Sequence, residues 1–215
     1  GENLDVEDVP LLTDLRRVHP DPDLPESGVR HVLEPQIGLD RVEAHSTHEV
    51  EREVRVRRPN HLRIDSHQSD GDIVRLVYDG RLLTLSHQNQ NVDSQVDHAG
   101  NIDSALRFAV GTRGIRTPLA RMLVTSLPQE IRKLTQSLMY IERNTLGANP
   151  THHLAGRTKD VDYQVWLADD NLPQRIVITY KDHPGQPQFQ ADFSDWNMSA
   201  RLSDGDFAFT PPEGA

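Results

Sequence analysis

The chain has 215 residues, 33 acidic and 23 basic, for a net charge of −10 and a mean hydropathy of −0.62. That balance offers no clustered basic face for nucleic acid phosphates and no general attraction to anionic lipid. The absence of cysteine excludes disulfides, thiolate metal sites and cysteine nucleophiles, and no apolar run approaches the ~18 residues of a membrane-spanning helix.

The opening Gly1-Glu2-Asn3-Leu4-Asp5 has no signal-peptide character. Val6 to Val18 predicts a short helix, with Val9, Leu12 and Leu15 at helical spacing and Pro10 admissible only in its first turn. Pro20, Pro22 and Pro25 then exclude both helix and central strand. Residues 1–28 are therefore read as an N-terminal helix and linker, and residues 29–215 as a single domain.

From Val29 the hydrophobic period changes to two. In Glu49–Arg57 the residues Val50, Arg52, Val54 and Val56 share one face, and Glu49, Glu51, Glu53, Arg55 and Arg57 the other. Pro59 ends that strand. Leu62-Arg63-Ile64 and Ile73–Tyr78 follow, and Asp79-Gly80 predicts a hairpin into Leu82–Ser86. Gln88–Asp97 adds an edge strand.

Residues 101–136 read as a helical insertion. Asn101 caps a helix carrying Ile102, Ala105, Leu106 and Ala109. Thr117-Pro118 opens a second with Leu119, Met122 and Leu123, and Pro128 a third with Ile131, Leu134 and Leu138. Strands resume near Met139 and include His152–Asp160, Val161–Ala168 and Gln174–Asp182. An aromatic, proline-rich tail closes the chain, with Phe189, Trp196, Phe207, Phe209 and Pro211 as its apolar members. The expected fold class is α+β. Nine to eleven strands form one strongly curved antiparallel sheet, a half-open β-barrel, covered by the helical insertion at about 101–136.

The interior of such a barrel would be lined by Val50, Arg52, Val54, Val56, Leu62, Ile64, Leu76 and Tyr78 from the first strands. Leu119, Met122 and Leu123 face it from the insertion, and Tyr163, Val165, Ile176, Ile178, Tyr180, Phe189 and Phe193 from the last strands. These residues are candidates for binding a hydrophobic ligand, and they equally describe a filled core. Arg52 stands out among them, because a guanidinium on an interior face requires partners or a route to water along its stem. Trp166 falls on the opposite face from Tyr163 and Val165, where it can pack under the tail of Phe207, Phe209 and Pro211.

Other chemistry is weakly supported. The 11 histidines lack metal-site spacing: His45 and His48 face opposite ways on a strand, as do His152 and His153. Ser69–Asp72 and Ser203–Asp206 are turns rather than calcium loops. There is no Gly-x-Ser-x-Gly elbow, and Gly111-Thr112-Arg113-Gly114 lacks the Lys-Ser/Thr of a phosphate loop. No catalytic residue, metal ligand or cofactor is assigned.

Several motifs together resemble a bacterial family of predicted periplasmic proteins, domain-of-unknown-function family 2092. They are Arg57-Arg58-Pro59 with Leu62-Arg63, Tyr78-Asp79-Gly80, Gln164-Val165-Trp166, Leu172-Pro173, Ile178-Thr179-Tyr180-Lys181, Pro184-Gly185, Pro187-Gln188, Asp195-Trp196 and Phe207–Ala215. They span residues 41–215; residues 1–40 match poorly. Thr151-His152 lies where many relatives carry a cysteine, a departure from the resemblance. The resemblance implies the lipoprotein-carrier (LolA/LolB-like) superfamily, a half-barrel closed by helices, and a location in the cell envelope.

Three functions follow. The first is a non-enzymatic envelope protein binding a lipid, acyl chain, lipoprotein or apolar peptide between sheet and helical lid. The second is an interaction or sensor module with a filled core. The third is an enzyme using the barrel interior, which would need convergent polar groups with shifted pKa values. The oligomeric state is not legible.

Overall fold

The computed structural model describes residues 50–69, 71–113, 115 and 120–211. The helix at Val6–Val18, the linker, the Thr117-Pro118 cap and Leu119 lie outside the described residues. Two compact units are present, one of residues 50–124 with 200–211 and one of residues 125–199.

The first unit is a five-stranded antiparallel meander: β1 (Glu51–Arg57), β2 (His61–His67), β3 (Ile73–Tyr78), β4 (Leu82–His87) and β5 (Val92–Asp97), in that spatial order. Its tightest turn is dictated by two residues. Asp79 Oδ1 accepts the N–H groups of Arg81 (2.9 Å) and Leu82 (2.7 Å). Gly80 has φ +96°, and a Cβ there would lie 2.4 Å from Asn60 Nδ2, so only glycine fits.

One face of this sheet is organised in cross-strand rows. Val56, Leu62, Tyr78, Leu83 and Val96 form the first row, and Val54, Ile64, Leu76, Leu85 and Ser94 the second. Over them lie α1 (Ile102–Arg107), a π-helical turn at Phe108–Thr112 and a 3₁₀ turn at Ala120–Leu123. Asn101 caps α1 through its side chain, which accepts the Ser104 N–H at 2.9 Å. Ile102, Ala105, Leu106, Ala109, Val110 and Ala120 from this cover pack with Leu62, Ile64, Leu76, Tyr78 and Leu83 in one buried cluster.

On the opposite face the tail is tied down. Phe207 is buried with its ring edge-on to His61 (centroids 5.2 Å apart) and under the Arg57 guanidinium, while Arg57 also reaches Asp204 at 2.5 Å. Trp166 stacks on His153, with ring centroids 4.1 Å apart.

The second unit begins with α2 (Leu127–Leu134), with Pro128 in its first turn as its fixed φ favours. A second five-stranded antiparallel meander follows: β6 (Ser137–Leu146), β7 (Asn149–Arg157), β8 (Val161–Leu167), β9 (Pro173–Tyr180) and β10 (Gln188–Asp192). Leu154 and Leu167 are its buried cluster, with Ile131, Leu138 and Val165 packed against them.

This corrects the expected fold class. Among the described residues ten strands are present, but in two separate sheets of five, and neither sheet closes on itself. A single half-open barrel under a helical lid is not formed. The physical reason lies in the insertion. Within each sheet, successive strands pair through short turns, but the chain leaves β5 for helical turns and restarts pairing only at β6. The insertion itself is divided, with Ile102, Ala105, Leu106, Ala109, Val110 and Ala120 packed on the first sheet and Ile131 of α2 on the second.

Candidate functional site

The interior candidates are divided between the two sheets. Leu62, Ile64, Leu76 and Tyr78 belong to the first sheet's packed cluster, where Leu62, Tyr78 and Ile102 are 0% exposed. Val56 and Leu123 pack against its margin, and Met122 is half-buried. Tyr78 directs its hydroxyl to the carbonyls of His98 and Gly100, each 2.9 Å away. Burial, with the Asp79 charge adding to it, raises its pKa despite the Gly100 contact. These side chains are packed together in that buried cluster.

In the second sheet, Tyr163, Ile178 and Phe189 form one cross-strand row, and Val165 and Ile176 the next. Ile178 and Tyr180 are buried, and Phe193 stacks on Trp196 at 5.8 Å. Tyr163 lies across Gly156 on the adjacent strand and shares a 2.8 Å hydrogen bond with the Thr135 hydroxyl. Its pKa is raised by burial.

Arg52, Val50 and Val54 lie apart from this packing. Val50 precedes β1 and is half-buried, and Val54 is 45% exposed and outside the cluster. Arg52 sits in a third row with Ser66, Val74, His87 and Val92. Its Nε is buried without a hydrogen-bond partner, and burial lowers its pKa. On the other face of β2, Asp65 is buried between Arg63 (2.7 Å) and Arg75. Burial disfavours its charge, but the hydrogen bonds and charges of Arg75 and Arg63 outweigh that and hold its carboxyl below the ordinary value.

Sequence reasoning missed the surface along β6. This strand ends the second sheet, and among the described residues no strand pairs with its outer edge. Met139 is 60% exposed, Tyr140 37% and Ile141 44%, and Leu134 of α2 is exposed nearby in sequence. The register to β7 slips between Tyr140 and Glu142, so Ile141 is the extra residue of a bulge. Three consecutive apolar residues flanked by Leu138 break strict alternation, and that was the available signal.

Beside them runs a hydrogen-bonded chain. The Tyr140 hydroxyl lies 3.3 Å from His152 Nδ1, His152 Nε2 lies 3.3 Å from Asp169 Oδ1, and Arg143 holds Asp169 with contacts of 3.0 and 2.8 Å. Adjacent His153 points the other way, to Gln164 and Trp166. Asp169 also borders an open depression of about 390 Å³ with Asn149, Pro150, Ala168, Asp170 and Gln174, none of them an interior candidate. This chain is solvent-exposed, so its groups lack the dry surroundings that make such relays catalytic. Among the described residues no group of three or more His, Asp or Glu is arranged to hold a metal, and no helix is long and apolar enough to cross a membrane.

The sequence profile described as "Predicted periplasmic protein (DUF2092)" matches residues 36–215. No curated protein matches the chain. Among solved structures, the chain resembles one from the Pseudomonas aeruginosa MucA/MucB complex at 16% identity and a TM-score of 0.40, covering 76% of this chain and 50% of that one. It also resembles one from the complex of MucB with MucA(peri), at 14% identity and a TM-score of 0.33, covering 66% and 40%. The chain thus spans half or less of the length of these proteins, and the likeness is too loose to carry a fold or an activity.

Proposed function

The chain belongs to the DUF2092 family of periplasmic proteins, and on that premise we propose that it is a non-enzymatic envelope protein that holds an extended apolar segment of a partner protein along β6. The observation that carries this reading is the outer edge of β6, where Met139, Tyr140 and Ile141 stand exposed along a backbone edge that no described strand pairs with. An extended peptide gains main-chain hydrogen bonds by adding to such an edge, and exposed apolar side chains give it register and affinity. The bulge at Ile141 guards the edge against indiscriminate pairing, because it bends and twists the strand.

The alternative of an acyl chain held between sheet and helices needs room that Leu62, Tyr78 and Ile102 already occupy in the first unit. Of the three functions read from sequence, the interaction module with a filled core therefore has the stronger support. Kinship with the lipoprotein-carrier superfamily, inferred from the motifs of residues 41–215, suits a protein that handles apolar protein cargo. Among the described residues the enzyme reading finds no common cavity into which shifted groups converge: the altered pKa values of Asp65, Tyr78 and Tyr163 arise from ion pairing or simple burial.

The test is a photo-crosslinking amino acid at position 140 in the periplasm, followed by identification of the adduct. Binding of the identified segment to purified protein is then measured for wild type, Met139→Lys and Ile141→Lys. One dominant adduct, whose segment binds wild type and loses at least tenfold in affinity to both variants, is expected. Equal binding by all three proteins would remove β6 as the docking site.

A further inference from the structure

Among the described residues, the helical cover of the first sheet ends before the third row. The buried cluster takes in the first row and most of the second, and Val54 and the row of Arg52, Ser66, Val74, His87 and Val92 are not part of it. Val54 and Val92 are both about half exposed on this face, although they are among the chain's larger aliphatic residues. Between them the polar groups are incompletely satisfied. Arg52 Nε is buried without a partner, and so is His87 Nδ1, which stands 3.8 Å from Asp72 Oδ2. Asp72 is itself engaged, its Oδ1 accepting the Asn89 N–H at 3.0 Å. Leaving a buried guanidinium N–H unpaired is costly, so such a group is retained where something completes it.

Guanidinium offers a planar fork of donors that matches carboxylate and phosphate oxygens. Ser66, directly opposite Arg52 on β2, adds a hydroxyl to the same face. Val54, two residues further along β1, and Val74, beside Ser66 in the same row, give apolar surface next to this polar point. A free inorganic ion would use the fork and leave the valines in water, whereas a molecule with an oxyanion head and an apolar chain would use both.

We propose that Arg52 anchors the oxyanion head of a single-chain amphiphile, whose chain lies along Val54 and Val74 on the uncovered end of the first sheet. This site is separate from the β6 edge and stands or falls independently of it.

The test measures calorimetric binding of decanoate, decyl phosphate, decanol and inorganic phosphate, below micellar concentrations. Wild type is compared with Arg52→Met, which keeps the apolar stem, and with Ser66→Ala. Decanoate and decyl phosphate are expected to bind wild type and to lose at least tenfold in affinity to Arg52→Met, with a smaller loss for Ser66→Ala. Their ratio then identifies carboxylate or phosphate as the preferred head. Decanol is expected to bind weakly and equally to wild type and Arg52→Met.

Failure of both charged amphiphiles to bind wild type, or equal binding to Arg52→Met, would overturn the proposal. Inorganic phosphate binding as tightly as decyl phosphate would overturn the role of the chain. A second readout needs no ligand: removing a guanidinium whose buried Nε has no partner is expected to raise the Tm of Arg52→Met, and a fall would show that Arg52 already has its partner.

Discussion

Two meanders of five strands, built with the same linear order, place their hydrophobic residues very differently. In the first, eleven buried residues form one cluster in which sheet and helical cover interlock. In the second, the cluster among the described residues is Leu154 and Leu167 with a margin of three, while Met139, Tyr140 and Ile141 face water. Apolar burial contributes about 25 cal/mol per Å², so the first sheet is organised for stability. The second leaves comparable side chains available to a partner. On the proposed function, the division separates the part that holds the fold from the part that would recognise a partner.

Core truncation gives this contrast its largest test. Leu62→Ala removes a fully buried side chain and is expected to cost about 3–4 kcal/mol, lowering Tm by roughly 10 °C. Met139→Ala in the second sheet is expected to change stability by no more than about 0.5 kcal/mol. Urea denaturation of both variants decides the matter, and comparable losses would erase the distinction.

The ion pairs on β2 sharpen it next. Asp65→Asn is expected to cost about 2 kcal/mol at pH 7, less than the loss of a wholly buried pair because Arg75 is partly exposed. The folded-state pKa of Asp65 is depressed, so its contribution is complete above the unfolded value of about 4 and disappears as pH falls through the lower folded value. The gap between variant and wild type should therefore be constant above that range and narrow only in stronger acid. A gap that stays the same across a urea series down to pH 2 would mean the charge on Asp65 is not what the arginines use.

A third variant probes the second sheet from within. A Cβ at Gly156 would sit 2.0 Å from Tyr163 Cζ and 2.3 Å from its hydroxyl oxygen. The tyrosine is also held by Thr135, so it has little freedom to move aside. Gly156→Ala is expected to cost about 2 kcal/mol through overpacking, with faster amide exchange in β7 and β8 and none of that acceleration in β2 and β3. Combining it with Tyr163→Ala should recover most of its effect in a double-mutant cycle. A strictly additive pair would show that the ring is not the obstacle.

Strand positions were readable from the sequence because side chains alternate with a period of two. Ile73–Tyr78 and the Asp79-Gly80 turn fall where expected, and Asn101 caps α1 as its residue type predicts. Tyr163, Val165, Ile176 and Ile178 do share a face. The same period says which face a residue occupies but not which strand lies beside it, so one curved sheet and two separate sheets look alike in sequence. The missed site follows from a similar limit. Exposure of β6 depends on its being last in its sheet, and the Tyr140–His152–Asp169 chain depends on a register that brings distant residues together. Arg52 was legible because a charge on an otherwise apolar face violates the pattern locally.

The smallest expected effect on stability is the one that bears most directly on function. Leu138 and Ile141 are three residues apart on β6, and a hydropathy scale would treat them alike. Leu138 packs against the Leu154 and Leu167 cluster, so Leu138→Ala should cost about 1–2 kcal/mol. Ile141 is the bulged residue and faces solvent, so Ile141→Lys should leave stability within about 0.5 kcal/mol of wild type. A lysine on an exposed edge also opposes the addition of another strand. The substitution should therefore abolish crosslinking from position 140 while leaving the denaturation curve in place. If Ile141→Lys unfolds the second sheet, the apolar side chain is structural despite its exposure. Loss of the crosslink in a fully folded variant would instead assign this residue to recognition.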